Sequence, residues 1–216
     1  MIGHVAAFED RLRQDADLIL QEAGEFFMER GSLLETLRQL TRRLDEASIP
    51  YAVLGAMALA RHGLARMTVD LDILLTPEGL TIFKARYLGR GYVAAFPGAE
   101  KTFRAVETGV RIEVITTGEY PGDGRPKPVC FPHPEEASVD MGGTRVISLE
   151  RLVELKLASG MTAPHRLRDL ADVLDLIRTL ALPADFASRL DPSVRSEYQQ
   201  LWQRAQATDP LQETGR

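Results

Sequence analysis

The sequence contains a single cysteine and no long apolar run. Because Cys130 is the only cysteine in 216 residues, an internal disulfide is excluded and a reducing compartment is expected. No apolar stretch approaches the roughly 20 residues that cross a bilayer, and the acidic N-terminal stretch lacks a signal-peptide pattern. We therefore predict a cytoplasmic protein with no membrane partner.

Clustered histidine and excess positive charge are also missing. The four histidines, His4, His62, His133 and His165, are far apart and show no metal-ligand spacing, so zinc is not expected. The net charge of −5 argues against bulk electrostatic binding of nucleic acid, and no DNA partner is expected. A local basic rim, or else scattered solubilising charge, is formed by Arg61, Arg66, Lys101, Arg104 and Arg111.

The hydrophobic content of 44% is sufficient for a full core. The residue pattern predicts an α/β (α+β) protein with a small mixed sheet and flanking helices. Three parts are expected: N-terminal helices over 1–47, a core over 48–147 and a C-terminal helical subdomain over 148–216 packed on the core.

The segment 68–75 carries the most specific pattern. It alternates as a strand, with Val69, Leu71, Ile73 and Leu75 predicted inward and with Asp70 and Asp72 together on the other face. Two carboxylates on one face are costly unless a cation lies between them. Mg²⁺ is the natural candidate, since it takes oxygen ligands and leaves positions for substrate phosphates; a solvated strand face is the alternative.

A third carboxylate lies on another alternating strand, predicted over 110–115. Val110, Ile112 and Val114 point inward there, and Arg111 and Glu113 point outward. If this strand lies beside the Asp70 strand, Glu113 joins Asp70 and Asp72 at a site for two metal ions, which suits in-line phosphoryl displacement.

A short strand over 51–54 runs into Gly55 and a helix-prone stretch over 56–61. A glycine between a strand and a helix lets backbone N–H groups approach a phosphate; for Gly55 alone, a plain tight turn is the alternative. The order strand, glycine, helix, paired aspartates and third acidic strand is more specific than any one part.

These segments resemble the nucleotidyltransferase superfamily of polymerase-β-like folds, and within it the AbiEii/AbiGii toxin-like and minimal nucleotidyltransferase branch. The resemblance covers about residues 48–180 and rests on segments 54–58, 66–72, 149–157 and 168–173 together with Glu113.

The resemblance implies a Mg²⁺-dependent transfer of a nucleoside monophosphate from a nucleoside triphosphate (NTP) to an acceptor hydroxyl on tRNA, a protein or a small molecule. Asp70 and Asp72 would bind the metals, and Glu113 would act as third ligand or base. An antitoxin protein is a further partner if the chain is the toxin of a pair.

One position departs from the superfamily. Gly-Ser or Gly-Gly usually follows the first strand, and this chain has Gly55-Ala56, which removes one hydroxyl contact to phosphate but keeps the backbone donors. The alternative is therefore a catalytically silent binding or interaction module with the same fold.

Several other residues are candidates for the site. Arg66 is expected on phosphate because guanidinium binds phosphate in bidentate fashion, and Thr68 shares the face of Asp70. Lys156 falls in an apolar helical stripe, so it either points into the cleft towards the triphosphate or snorkels to the surface. Asp169 and Asp172 are expected as solvated carboxylates, with pairing to Lys156 or Arg168 as the alternative.

The remaining pattern predicts secondary structure. Helices are expected over 5–30, from Ser32 as N-cap to about 47, over 77–88, 148–159 and 165–180. Strands are expected over 92–95 and 102–106, with a hairpin over 139–147. The proline-rich stretch 121–134 is a loop that either crosses the site or packs on the surface, and the last ten residues are expected to fray.

Overall fold

The structure, a computed structural model, describes residues 31–207. Within that range seven strands form one mixed sheet in the order β3-β4-β5-β2-β1-β7-β6. The strands are β1 Tyr51–Val53, β2 Asp70–Leu75, β3 Tyr92–Ala94, β4 Thr102–Ala105, β5 Arg111–Thr116, β6 Ser138–Asp140 and β7 Arg145–Ile147. The predicted α/β class with a mixed sheet is confirmed.

In the same range, some helices precede or connect the strands, and three others follow the last strand in sequence. They are α1 31–46, α2 Gly55–Arg61, α3 Pro77–Tyr87, α4 Pro134–Ala137, α5 Leu149–Thr162, α6 Leu167–Thr179 and α7 Arg195–Gln206. Short 3₁₀ segments occupy Pro164–Arg166, Ala184–Arg189 and Pro192–Val194. In the described part of the chain, no helix is both long enough and apolar enough to span a membrane.

Strand β2 lies at the centre of the sheet, antiparallel to β1 and parallel to β5. Leu71, Ile73 and Leu75 are buried as alternation predicts. The prediction for Val69 was wrong: its side chain is 64% exposed, because the strand begins at Asp70 rather than at residue 68.

Local sequence explains where several helices begin. Thr76 accepts a hydrogen bond from the Gly79 backbone, with Pro77 in the first turn of α3, and Ser148 accepts from the Arg151 backbone at the start of α5. The prediction that Ser32 is an N-cap was wrong, since residue 31 is already helical.

The helices after the sheet pack in series, α5 on α6 and α6 on α7. Helix α7 was not predicted, because its sequence is polar and shows few apolar positions. Its buried Tyr198 and its Trp202 are anchored to the preceding loop, through hydrogen bonds to the carbonyl oxygens of Pro183 and Leu182. The predicted helix over 5–30 and the tail from residue 208 lie outside the described residues.

Candidate functional site

A cleft of about 600 Å³ lies over β2 and β5. Asp70 and Asp72 line it from β2, and Glu113 lines it from β5. The parallel register places Asp72 opposite Glu113, so alternation puts the three carboxylates on one face. The structure brings the three predicted residues to the same cleft.

The carboxylates do not form a ready ligand set. The Thr68 hydroxyl donates to Asp70 Oδ1 at 2.7 Å, and Arg111 Nη2 lies 3.7 Å from Glu113 Oε2. Within residues 31–207, no group of three or more His, Cys, Asp or Glu side chains is arranged to hold a metal ion. For the three carboxylates to share an ion, their side chains would have to move closer together. Thr68 does not line the cleft and acts on Asp70.

Gly55 lies against the Asp72 carboxylate at the start of α2. Its φ of +58° is in the left-handed region, which favours glycine. A Cβ at this position would lie 1.8 Å from Asp72 Oδ2, so a side chain is excluded for a second reason. Ala56, by contrast, is buried and is not part of the cleft lining; only its backbone is a candidate for ligand contact.

The environment of Asp72 disfavours negative charge. Burial, together with the like charges of Asp70 and Glu113, raises the pKa of Asp72 to about 6, while Lys156 and Arg166 oppose the shift. Asp72 is therefore the carboxylate whose ionised form would gain most from a bound cation.

Lys156 forms the centre of a buried ionic cluster. Its Nζ donates to Asp169 Oδ1 at 2.9 Å and to Asp172 Oδ2 at 2.6 Å, and the lysine is only 7% exposed. The snorkelling interpretation was wrong, because the aliphatic stem and the ammonium are both buried. The expectation that Asp169 and Asp172 are solvated was also wrong: they pair with Lys156 between α5 and α6, as the alternative held.

Asp169 has further partners in this cluster. The Ser159 hydroxyl and Arg166 Nε donate to its Oδ2 at 2.7 and 2.8 Å. Burial acts to raise the pKa of Asp169, but the charge of Lys156 and these hydrogen bonds outweigh it, and the pKa lies below its usual value. Asp169 is thus held ionised.

Arg66 reaches the same cluster from the loop before β2. Its Nη1 donates to Asp172 Oδ2 at 3.0 Å, the oxygen that also accepts from Lys156. Arg66 Nε is buried and has no partner among the described residues. Arg66 lines the cleft, so Asp172 links two of the predicted phosphate-binding cations.

The predicted basic rim is only partly realised. Of its five members, Arg66 alone lines the cleft formed by the described residues. Lys101 binds Glu119 and donates to Thr116 at 2.8 Å, and Arg104 donates to the Gly109 carbonyl at 2.6 Å. The other basic residues that line the cleft come from the start of α6 and the turn before it: His165, Arg166 and Arg168.

Sequence reasoning also missed the apolar part of the cleft. The predicted proline-rich loop contributes Pro121 and Phe131, and Tyr120 precedes it, so the loop borders the site rather than packing elsewhere. Ile115 could have been found, because it is two residues after Glu113 on the same strand face. The remaining apolar lining residues are Leu54, Leu152 and Leu155.

Comparison with solved structures finds a protein of similar architecture. No family model matches the chain, and no curated protein matches it. Among solved structures, an antigenic nucleotidyltransferase-like protein from Paracoccidioides brasiliensis is 18% identical with a TM-score of 0.50, covering 79% of this chain and 85% of its own.

Two further solved structures are similar at lower TM-scores. A Helicobacter pylori protein provisionally described as a nucleotidyltransferase is 17% identical with a TM-score of 0.46, and the match covers 84% of this chain and 94% of that one. ANT(2'')-Ia, solved in complex with adenylyl-2''-tobramycin, is 14% identical with a TM-score of 0.47, and the match covers 79% and 96%. The structure has the nucleotidyltransferase fold, as its similarity to the P. brasiliensis protein indicates.

Proposed function

We propose that the protein is a nucleotidyltransferase that moves a nucleoside monophosphate from an NTP to an acceptor hydroxyl. The observation that supports this most is a cleft with carboxylates on one side and cations on the other: Asp70, Asp72 and Glu113 face a cluster centred on Lys156. An NTP with its metal ion presents both signs of charge, so such a cleft complements it.

The residue types suit Mg²⁺. The three carboxylates supply only oxygen donors, which Mg²⁺ prefers, and burial together with the like charges of Asp70 and Glu113 raises the pKa of Asp72 despite the opposing charges of Lys156 and Arg166. Asp70, Asp72 and Glu113 would hold the ion once their side chains turn towards one another. Mg²⁺ bound there would neutralise the charge that develops on the transferred phosphoryl group.

The phosphates have several candidate donors. Lys156 has three N–H donors, and two of them are used by Asp169 and Asp172, which leaves one for a ligand. Arg66 keeps a guanidinium edge that Asp172 does not occupy. Gly55 and Ala56 would contribute backbone N–H groups, for which the missing side chain at position 55 makes room.

Transfer requires one bond to form and one to break. The acceptor oxygen attacks the α-phosphorus, pyrophosphate leaves, and the acceptor proton passes to a base. Glu113 is our candidate for that base, since it lies opposite Asp72 across the parallel ladder. The acceptor is a hydroxyl of tRNA, a protein or a small molecule such as an aminoglycoside.

Label transfer tests the proposal. The protein is incubated with each α-labelled NTP and Mg²⁺, alone, with total tRNA and with an aminoglycoside. We expect Mg²⁺-dependent label on one acceptor, its loss in Asp72→Asn, and its retention in the control Asp175→Asn, because Asp175 is exposed and does not line the cleft. No label on any acceptor would count against the proposal.

A silent binding module is the second candidate. Two observations favour it: the carboxylates are not arranged as a metal site within residues 31–207, and Ala56 stands where the superfamily usually has serine or glycine. Saturable NTP binding without transfer to any acceptor would support this candidate.

A toxin role of the AbiEii type is compatible with the proposed transfer and adds an antitoxin partner. Growth arrest when the wild type is expressed, but not when Asp72→Asn is expressed, would support this role.

A further inference from the structure

The cleft has an apolar end as well as a charged one. Ile115 continues the cleft face of β5 beyond Glu113, and Leu152 and Leu155 line the cleft from α5. Leu152 lies one helical turn before Lys156, and side chains at that spacing are neighbours on a helix. Apolar surface therefore lies beside the proposed phosphate-binding lysine.

Two aromatic rings complete this apolar end. Tyr120 and Phe131 are partly buried and line the cleft. The paired rings of the described residues lie in two other clusters, one of Phe83, Tyr87, Tyr92 and Phe103 and one of Phe186 and Tyr198. Tyr120 and Phe131 belong to neither, so their faces have no aromatic partner within residues 31–207.

The segment that carries these rings is fixed in place. At its base the Gly118 amide donates to the Phe131 carbonyl and the Phe131 amide donates to the Glu119 carbonyl, both at 2.8 Å. At its far side Lys127 Nζ donates to the Pro121 carbonyl at 2.6 Å and to Thr162 Oγ1 of α5 at 2.9 Å. The rings are thus held by a pre-formed wall, which lowers the entropic cost of ligand binding.

We infer that Tyr120 and Phe131, with Ile115, Leu152 and Leu155, form a subsite for the nucleobase of the NTP. This inference rests on the proposed function. It assigns a binding site to the nucleobase, which the charged residues of the cleft do not recognise. Every base has a π-face that stacks on aromatic side chains, and the volume of the cleft is in the range of small-molecule sites.

The composition of the subsite also predicts its selectivity. Its lining is apolar apart from the Tyr120 hydroxyl, so few groups are available to distinguish base edges. We therefore expect purine triphosphates to bind more tightly than pyrimidine triphosphates through their larger stacking area, with little discrimination between ATP and GTP.

Calorimetric titration of ATP, CTP and inorganic tripolyphosphate, each with Mg²⁺, tests the inference. In the wild type ATP should bind more tightly than tripolyphosphate. Tyr120→Ala and Phe131→Ala should each weaken ATP binding about tenfold, within the range measured for base stacking, without changing tripolyphosphate binding. Tyr120→Phe, which keeps the ring, should bind ATP as the wild type does.

A matched control and the contrary outcomes complete the design. Phe96→Ala removes an exposed ring that does not line the cleft and should change no affinity. Wild-type protein that binds neither ATP nor tripolyphosphate would contradict the proposed function itself. ATP and tripolyphosphate of equal affinity, or ring variants that bind ATP normally, would overturn the nucleobase subsite and leave the proposed function standing.

Discussion

At the scale of single residues, Asp72 has the most unusual surroundings in the cleft. Gly55 leaves no room on one side, and Asp70 and Glu113 contribute like charge on the other. Burial and these charges hold its pKa at about 6, above the unfolded-state value of about 3.9. The native protein therefore binds a proton at Asp72 more readily than the unfolded chain does, and ionisation of Asp72 weakens the fold.

Asp72→Asn should stabilise the protein at neutral pH. Between about pH 4 and 6 the native state binds more protons than the unfolded state, so the wild type loses stability as pH rises through this range. The variant lacks this loss. Its advantage should be near zero below pH 4 and reach about 1–2 kcal/mol above pH 6, after allowance for the partial exposure of the carboxylate.

Urea unfolding of both proteins from pH 4 to 8 measures this difference. Asp175→Asn, at an exposed position outside the cleft, serves as the control and should show no such trend. A stability difference that shrinks as pH rises would contradict the assigned sign.

Gly55→Ala should destabilise the protein more than its backbone angle alone explains. Gly98 also has a positive φ, of +82°, but an added Cβ there meets nothing within 4 Å. Gly98→Ala should therefore cost about 1–2 kcal/mol from conformation alone, and Gly55→Ala at least about 1 kcal/mol more from the clash with Asp72.

A double-mutant cycle isolates that clash. In an Asp72→Ala background the extra cost of Gly55→Ala should fall towards that of Gly98→Ala when unfolding free energies are compared. Independent, additive costs would show that the carboxylate does not limit position 55.

Residues on strands were the most predictable from sequence. Alternation placed Asp70, Asp72 and Glu113 on one face, because the period of a strand is fixed by backbone geometry. The prediction that Val69 is buried failed because β2 begins one residue after it. Where a strand begins depends on hydrogen bonds to distant segments. The partners of Lys156 were left open, because they come from another helix whose packing angle no local pattern specifies.

At the scale of elements, the α5–α6 interface is held by charge as well as by apolar packing. Lys156 from α5 binds Asp169 and Asp172 from α6, so α6 presents these carboxylates inward. At the start of α6, by contrast, the apolar Leu167 is 66% exposed. Burial of two aspartates is favourable only with paired cations, a condition that the sequence of α6 alone does not reveal.

Lys156→Met should destabilise the fold strongly. It leaves two buried carboxylates with fewer partners, and the loss of one member of a buried ionic cluster costs about 3–5 kcal/mol. Thermal unfolding measures this effect. The triple variant Lys156→Met/Asp169→Asn/Asp172→Asn, which also removes the orphaned charges, should be more stable than the single variant. If the single variant melts as the wild type does, the cluster contributes nothing to stability.

Lys127→Met should loosen the cleft wall without unfolding the core. It removes the hydrogen bonds to Pro121 and Thr162 while keeping the aliphatic stem. Amide hydrogen exchange over 118–131 should accelerate about tenfold, and exchange in β2 and β5 should not change. Lys84→Met, which breaks a surface pair of 3.7 Å with Glu100, is the control and should leave both regions unaffected.

At the scale of the whole molecule, ligand binding should raise the melting temperature. Under the proposed function, Mg²⁺ with ATP would bind the folded cleft and not the unfolded chain. At a ligand concentration 100 times Kd the gain is about 2.7 kcal/mol, which corresponds to about 5–10 °C for a chain of this size. Asp72→Asn should lose most of this shift. A wild-type melting temperature unmoved by millimolar Mg²⁺ and ATP would count heavily against a working site.

The parallel pairing of β2 with β5 has a consequence for how the protein folds. Asp72 and Glu113 are distant in sequence, and α3, β3 and β4 lie between them, so their meeting requires closure of a long chain segment. Contacts of this kind form slowly, after local helices and hairpins. During refolding, the nucleotide binding expected under the proposed function should therefore recover later than helical circular dichroism. The cleft is then completed in one of the last steps of folding.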